Sequence, residues 1–223
     1  MGSAGTDPSR RVLPSSLVEL AADQLREDIL GGRLSPGAKI VEEDLCATLG
    51  ISRGPVREAL RLLTQQGLVE HLPRRGARVV EWSTSDVVQL FGLRGVLERH
   101  AIETSFPLDD PLTALEPVRE ALGAMRAARG GLERDDAHRS FHAAVVGLAA
   151  NRQLDIALAP ILLKLQLPMA RNLREEARRR QTVRDGIARH EELLDALEGN
   201  DPELIVKALD EHGHLSYLGL SQP

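Results

Sequence analysis

The stretch ISRGPVREALRLLTQQGLVEHLPRRGARVV, residues 51–80, begins with the pattern of a helix. Ser52 can cap that helix with its side-chain oxygen, and Pro55 falls in the first turn, where a missing N–H costs nothing. One face of the predicted helix is apolar and another is basic: Val56, Leu60 and Leu63 against Arg53, Arg57 and Arg61. A helix of this kind can pack on a small core while it presents arginines to a partner.

A shorter helix is predicted directly before it, in VEEDLCATLG, residues 41–50. Leu45 and Leu49 lie four residues apart, and Gly50 is placed to end the helix in a left-handed conformation. Two helices joined by a tight turn, the second with arginines near its N-terminus, are typical of a helix-turn-helix that reads the major groove of DNA. The alternative is a charged helix face that contacts only solvent.

The flanking sequence adds the other parts of a small domain. Residues 68–72 and 77–80 have the character of short strands, and the turn Pro73–Gly76 between them carries Arg74 and Arg75. These strands predict a basic hairpin, or wing. A helix from Leu17 to about Leu30 precedes the pair and offers a third wall to the core, with the apolar residues Leu20, Ala21, Leu25 and Ile29.

The charge of the chain is unevenly distributed. The 223 residues carry a net charge of −5, whereas residues 52–80 hold six arginines against two glutamates. A local basic surface therefore exists on an acidic protein. Aromatic residues make up only 2% of the chain, which argues against base stacking on single strands and favours duplex DNA.

Composition also indicates the compartment. The chain has one cysteine, Cys46, which fits a reducing environment. It has no apolar run long enough to span a membrane, and its N-terminus lacks the apolar middle of a signal peptide. We therefore expect a cytoplasmic protein with no membrane partner.

Residues 12–80 resemble the winged-helix domain of the GntR family of bacterial transcription regulators, through the motif SR-x-PVREAL-x-x-L-x-x-x-GL and an RG-containing wing. The resemblance implies homodimeric, operator-specific binding of double-stranded DNA. It places Arg53 and Arg57 on bases and phosphates, and the wing tip, Arg75 and Gly76, in the minor groove. Ser52 can offer its hydroxyl and the helix N-terminus to a phosphate. Two residues depart from the family pattern, since Gly54 replaces a threonine and Glu43 stands where some relatives carry arginine.

The rest of the chain is predicted to be helical. After a linker at 81–85, Pro, Gly and Asn residues divide the sequence into six segments, at roughly 85–105, 111–130, 135–149, 151–172, 176–198 and 201–219. The fold class is therefore mainly α, with an N-terminal winged helix-turn-helix domain at 12–80 and a C-terminal all-helical bundle at 86–220.

Histidines are the informative residues of this second domain. His138 and His142 are four residues apart, so their side chains point the same way on a helix, a spacing that suits a metal ion. Arg139 occupies the position of the general base in H-E-x-x-H, so this is not a zinc protease motif. From spacing alone, a metal site and a coincidental pair both remain open.

Residues 85–220 resemble the helical FCD effector domain of the FadR branch of the same family, through LRGVLERHA, HRSFHAAVVGLAANRQL and RHEELLDALEGNDPELIVKALDEHGHL. That domain binds a divalent metal through one acidic residue and three histidines, and the metal anchors a small organic acid. His142, His190 and His212 match the histidines, and His138 replaces the acidic residue. A four-imidazole site suits Zn²⁺ or Ni²⁺.

Two further roles follow from this resemblance. Arg94 matches an arginine that points into the effector cavity, where it could grip a carboxylate; an ion pair with Glu98 is the alternative. Asp135 or Asp136, a turn before the histidine pair, could hydrogen-bond a ligating ring.

Taken together, these patterns predict a transcription regulator and not an enzyme. The favoured hypothesis is a repressor that a small organic acid at a metal centre releases from its operator. A metal sensor, in which the ion itself is the signal, is the first alternative. A metal-dependent hydrolase or oxygenase is disfavoured, because the sequence places no carboxylate as a general base beside the histidines.

Overall fold

The computed structural model describes the backbone of residues 17–72, 76–178 and 183–212, and the side chains of these residues except 171–178 and 183–185. The N-terminal part consists of α1 (Leu17–Leu30), β1 (Lys39–Ile40), α2 (Glu42–Leu49), α3 (Arg53–Gln65), β2 (Val69–Leu72) and β3 (Gly76–Val79). Helices follow: α4 (Thr84–Ser105), α5 (Pro111–Ala114), α6 (Glu116–Ala127), α7 (Gly131–Gly147), α8 (Arg152–Arg178), α9 (Val183–Glu198) and α10 (Pro202–His212). The predicted fold class, a winged helix-turn-helix before a helical domain, is confirmed.

The helix-turn-helix forms where the apolar spacing places it. Gly50 ends α2 with φ of 67°, a left-handed conformation that favours glycine. Val56 and Leu63 on the inner face of α3 are fully buried. Leu20 was predicted in this core but is 56% exposed, because α1 instead turns the small side chains of Ala21 and Ala22 toward α3.

The wing is a three-stranded antiparallel sheet in the order β1-β3-β2. Glu70 pairs with Arg78 in the register of β2 and β3, as a hairpin requires. The sequence did not reveal β1, since two residues are too few to show an alternating pattern.

Several predicted segments of the second domain differ from the helices in the structure. The segment at 111–130 is divided into α5 and α6 near Leu115, because Pro117 has no N–H to continue the ladder. The segment predicted at 135–149 already begins at Gly131, where the carboxylate of Glu133 accepts from the backbone N–H of Arg129 at 2.8 Å.

Helix α8 continues to Arg178, past the predicted end at 172 and over the predicted start of the next segment at 176, and α9 is described from Val183. The last segment, predicted at 201–219, begins at Pro202, and its residues 213–219 lie outside the described residues. None of the described helices is long and apolar enough to cross a membrane.

Helix α8 belongs to two cores. Its first half packs Leu158 and Leu162 against Ala101 and Val146 of the helical domain. Its second half contributes Leu167 and Ala170 to the apolar cluster of the winged domain, alongside residues such as Ile29, Leu63 and Val69. Leu132, in the first turn of α7, packs against the same cluster. The helical domain thus supplies part of the interior of the winged domain.

Candidate functional site

The outer face of α3 presents arginines to solvent. The side chains of Arg53 and Arg57 are each 62% exposed, and Arg61 lies on the same face. Ser52 occupies the N-cap position, but its side chain makes no capping hydrogen bond. The prediction that the Ser52 side chain caps α3 is therefore wrong, and its hydroxyl makes no hydrogen bond to the first turn of the helix.

Gly54 lies on the open side of the same turn. A Cβ atom built at this position would meet nothing within 4 Å among the described residues. Packing inside the protein therefore does not require glycine here. Because glycine lacks the side chain that a threonine would have here, another molecule can approach the first turn of α3 closely.

The wing tip is described only in part. Gly76 has φ of 85°, a backbone conformation that favours glycine, and it lies opposite Leu72 in the hairpin. The other predicted wing residue, Arg75, lies outside the described residues. Arg78, on the body of the wing, is 2.5 Å from the carboxylate of Glu70.

Both predicted DNA-facing arginines of α3 are paired with glutamates of α2. Nη2 of Arg53 lies 3.0 Å from Oε1 of Glu43, and Nε of Arg57 lies 2.8 Å from Oε2 of Glu42. The hydrogen bond to Glu42 raises the pKa of Arg57 above its ordinary value. These contacts join the two helices across the exposed surface of the domain.

In the helical domain, the structure brings the four predicted histidines together. The ligand nitrogens of His138, His142 and His190 all lie within 4.8 Å of one another. The ring of His212 lies beside them, with its centroid 4.4 Å from that of His190 and 5.2 Å from that of His142. Helices α7, α9 and α10 therefore converge on one buried cluster of imidazoles, hereafter the histidine cluster.

Backbone carbonyls orient two of these rings. Nδ1 of His190 donates to the carbonyl of Gly186 at 2.6 Å, and Nδ1 of His212 lies 3.3 Å from the carbonyl of Arg189. A neutral imidazole that donates through Nδ1 keeps its lone pair on Nε2. In His190 that Nε2 atom is buried and has no hydrogen-bond partner among the described residues.

Burial keeps the cluster neutral. It lowers the pKa of His190 to about 4, and it also lowers the pKa values of His138, His142 and His212 well below the ordinary value. Neighbouring imidazoles and the Arg94 guanidinium add to these shifts. Neutral imidazoles are the form that binds metal ions.

Arg94 lies next to the histidine cluster and also forms the ion pair with Glu98 that the sequence offered as the alternative. It is buried beside the histidine cluster, with Nη1 3.4 Å from Nε2 of His142. Its Nε atom lies 3.3 Å from Oε1 of Glu98, so the i,i+4 ion pair is also present. The arginine is thus placed where it could meet a ligand of the cluster, but its charge is already partly offset.

Glu98 is the residue of this site that sequence reasoning did not identify. It is 1% exposed, and its Oε1 atom lies 2.6 Å from Nδ1 of His142. Burial raises the pKa of this carboxyl group, and the nearby guanidinium of Arg94 opposes the shift. The sequence placed no carboxylate beside the histidines, and the structure brings Glu98 there. Only its pairing with Arg94 was visible in the spacing.

The two aspartates before the histidine pair do not contact its rings. Asp136 is exposed and pairs with Arg139. Asp135 is buried, and neither of its carboxylate oxygens has a hydrogen-bond partner among the described residues. Its nearest cation is Arg139, at 3.9 Å, which also donates at 3.2 Å to the side-chain oxygen of Gln166 on α8. The predicted hydrogen bond from either aspartate to a ligating ring is therefore absent from these contacts.

Unsatisfied polar atoms concentrate around the histidine cluster. Buried atoms without a hydrogen bond of good geometry include Nε of Arg94, both carboxylate oxygens of Glu98, Nδ1 of His142 and Nε2 of His190. Native proteins rarely leave buried polar atoms unpaired. Oε1 of Glu98 faces two of the other atoms without hydrogen-bond geometry, Nε of Arg94 at 3.3 Å and Nδ1 of His142 at 2.6 Å.

Comparison with known proteins agrees with both halves of this description. The family model of the bacterial regulatory proteins of the gntR family matches residues 17–79, and the FCD domain model matches residues 89–215. A protein of Paenarthrobacter nicotinovorans that is named "Probable D-xylose utilization operon transcriptional repressor" is 32% identical over 92% of this chain and 88% of its own. A gluconate operon transcriptional repressor of Bacillus licheniformis is 26% identical over 90% of this chain and 86% of its own.

Solved structures show the same architecture. A GntR transcriptional regulator from Rhodococcus sp. RHA1 superimposes with a TM-score of 0.71 at 27% identity, covering 93% of this chain and all of its own. The McbR/YncC protein of E. coli, at 23% identity, shares the fold with a TM-score of 0.63 over 89% of this chain and 93% of its own. The matched domains, their order and the relatives lead to one conclusion: the chain belongs to the GntR family of bacterial regulatory proteins, as a member that carries an FCD domain.

Proposed function

We propose that this DNA-binding regulator is a repressor that a small organic acid releases from its operator by binding at a divalent metal centre. The observation that carries the proposal is the convergence of buried imidazole nitrogens beside Arg94 and Glu98, several of whose polar atoms lack a hydrogen bond of good geometry. The names of the two relatives, repressors of D-xylose and gluconate operons, support control of genes for small-molecule use. Binding to operator DNA would place the protein in the cytoplasm, as the sequence predicts.

The donor set fits a metal ion. The Nε2 atoms of His138 and His142 lie 3.2 Å apart. Two imidazole nitrogens that each bind one ion at about 2.1 Å are about 3.0–3.4 Å apart, so this pair already has the required separation. His190 adds an unpaired Nε2 atom, and His212 stands beside it as the fourth ligand we propose.

The chemistry of the donors favours a borderline metal. Imidazole nitrogen suits Zn²⁺ and Ni²⁺, whereas Mg²⁺ and Ca²⁺ prefer oxygen ligands. Glu98 would hold His142 through its Nδ1 atom and so direct the Nε2 atom toward the ion. When bound, the ion would supply an open coordination position that can take a carboxylate oxygen.

Arg94 is the residue we assign to the far end of the organic acid. Its guanidinium is buried, next to the histidine cluster, and can bind a carboxylate with two parallel hydrogen bonds. The present contacts to Glu98 and His142, at 3.3 and 3.4 Å, are long for hydrogen bonds to a charged group. A carboxylate would therefore compete against weak partners.

At the other end of the molecule we assign operator contacts to the exposed face of α3 and to the wing. The proposed set is Ser52, Arg53, Gly54, Arg57, Arg75 and Gly76. Arginine can bond bidentately to guanine or clamp a phosphate, and the N-terminus of α3 favours an anion. Because one winged domain reads few base pairs, we propose that a homodimer binds a site with two-fold character, and GntR regulators usually dimerise.

A metal sensor is the second candidate, and one contact favours it. The carboxylate of Glu98 already offsets the charge of Arg94, which reduces the attraction of the pocket for an organic anion. In such a sensor the ion alone would change the affinity for DNA. The enzyme class that the sequence disfavours gains a carboxylate in Glu98, but that group is ion-paired, and the relatives are named as transcription regulators.

Elemental analysis of protein purified without a His-tag tests the metal centre, alongside the His142→Ala and His190→Ala variants. We expect the wild-type protein to hold zinc or nickel and both variants to lose it. Equal metal content after incubation with Zn²⁺, Ni²⁺ or Mn²⁺ would show that the histidines are structural. Operator binding by metal-loaded protein is then measured against a panel of small carboxylates. Release by a carboxylate supports the first candidate; a response to chelation alone supports the sensor.

A further inference from the structure

Helix α2 begins with three acidic side chains, Glu42, Glu43 and Asp44. Acidic residues in the first turn stabilise a helix through its dipole, which is a sufficient local reason for their presence. Two of the three, Glu42 and Glu43, also form ion pairs with arginines of α3. The local reason does not account for that pairing.

The pairs lie on the surface that we assign to DNA. Glu43 is as exposed as its partner Arg53, each at 62% of the side chain, while Glu42 is more enclosed. Residues 42–65, which span both helices, carry four acidic side chains against three arginines. A protein surface that approaches phosphates is normally basic, so this balance works against electrostatic attraction to any duplex.

Stability alone is a weak explanation for the two pairs. Exposed ion pairs contribute little to folding, because water screens the charges and the long side chains lose rotamer freedom. At a binding surface, the same loss of rotamer freedom can favour binding. A guanidinium already held in one orientation loses less freedom when it meets a base edge, and its planar set of donors recognises guanine only in the correct orientation.

We propose that Glu42 and Glu43 are specificity-determining residues of the DNA surface. Each holds one arginine in place for the operator and, by its charge, weakens binding to DNA without the operator sequence. The proposal rests on the proposed function, in which Arg53 and Arg57 contact DNA. Glu42 is a positioning residue for Arg57, and Glu43 is a positioning residue for Arg53.

The test compares two DNA probes by fluorescence anisotropy over a series of salt concentrations. One probe is a short duplex that the wild-type protein selects from a random pool, and the other is the unselected pool. The variants are Glu42→Gln and Glu43→Gln in the full chain. Asp44→Asn is the matched control: it removes one charge from the same turn, and no ion pair of Asp44 is found in the described part of the chain.

We expect each glutamine variant to bind the pool about 5- to 10-fold more tightly at 0.1 M salt, since one freed arginine neutralises about one more phosphate. The slope of log affinity against log salt should steepen by about 1 for the same reason. Affinity for the selected duplex should change little, because the stronger attraction to phosphates offsets the loss of the fixed orientation of the arginine. The ratio of the two affinities therefore falls. Asp44→Asn should leave that ratio unchanged.

Three results would overturn the proposal. The first is an unchanged affinity ratio in both glutamine variants, and the second is a control that behaves as they do. The third is a loss of affinity for the selected duplex alone, with the salt slope unchanged, because the carboxylate would then read a base itself. Arg53→Ala and Arg57→Ala are measured in parallel. If both alanine variants bind the two probes with wild-type affinity, the proposed DNA surface is wrong. If the alanine variants bind weakly while the glutamine variants keep the wild-type affinities, the DNA surface stands and only the role of Glu42 and Glu43 is wrong.

Discussion

The Oε1 atom of Glu98 lies 2.6 Å from the Nδ1 atom of His142, and both side chains are buried in the helical domain. The Nε2 atom on the other side of that ring lies 3.2 Å from Nε2 of His138. The contact is close, although it does not have the geometry of a hydrogen bond. A carboxylate beside one ring nitrogen favours the tautomer that carries its proton there and makes the other nitrogen a better ligand. The contact therefore links an unpredicted glutamate to the predicted histidines.

Replacing Glu98 with glutamine should weaken metal binding by about 10- to 100-fold, because an amide orients and polarises the imidazole less strongly than a carboxylate. The measurement is competition for Zn²⁺ against a fluorescent chelator, with thermal unfolding recorded to show that the variant is folded. Glu103→Gln, an exposed change on the same helix, is the control. If Glu98→Gln and Glu103→Gln bind Zn²⁺ with equal affinity, Glu98 does not support the metal site.

Changing Arg53 or Arg57 to alanine should weaken operator binding by about 5- to 150-fold, the usual effect of losing one good base or phosphate contact. Both side chains are exposed, so the fold should be retained. An electrophoretic shift assay measures the effect, with Arg126→Ala on α6 as a distant control. The assignment fails if both variants shift the operator at the wild-type concentration.

Light scattering should give a mass of about twice the 24.3 kDa of one chain. A homodimer with two-fold symmetry presents two copies of α3, so the protected DNA should be a pseudo-palindrome with half-sites about one helical turn apart or a multiple of that distance. Footprinting measures this directly. A monomer in solution, or a footprint without two-fold character, would contradict the proposed assembly.

Stability should depend on pH through Asp135. Burial raises the pKa of this carboxyl group to about 7, although Arg139 opposes the shift and Asp136 adds to it. From the ordinary pKa near 3.8 up to about 7, the folded protein binds a proton that the unfolded chain has released. The free energy of unfolding contributed by this group therefore falls as pH rises through that window.

Asp135→Asn removes this dependence. The variant should gain stability relative to wild type, on the order of 2–4 kcal/mol between about pH 4 and about pH 8. Denaturant unfolding at several pH values measures the difference. Glu103→Gln, an exposed change on α4, is the control. A constant difference between Asp135→Asn and wild type would show that the carboxyl group titrates normally.

Elements that depend on local spacing were predictable. The helix-turn-helix follows from the apolar positions of α3 and from Gly50, and the two faces of that helix are where the sequence places them. The approach of His138 to His142 follows from one helical turn. Bringing His190 and His212 to the same place required the resemblance to a known domain, because no local pattern relates residues on different helices.

The features that escaped prediction depend on partners far apart in the sequence. Glu98 looks like an ordinary i,i+4 partner of Arg94, and only the packing of α4 on α7 brings it to His142. The contact of Arg139 with Gln166 joins α7 to α8 and has no local signal. Strand β1 depends on its pairing with β3. In each case tertiary packing decides the partner.

The shared core of α8 determines how far these regulators can be treated as interchangeable modules. A chimera that joins residues up to the linker to a foreign effector domain would remove Leu167 and Ala170 from the apolar cluster that also holds Leu63 and Val69. Each lost apolar contact weakens the packing of the DNA-binding half. A functional exchange of effector domains would therefore have to carry the inward face of α8 together with the winged domain, even though some ninety residues of sequence separate them.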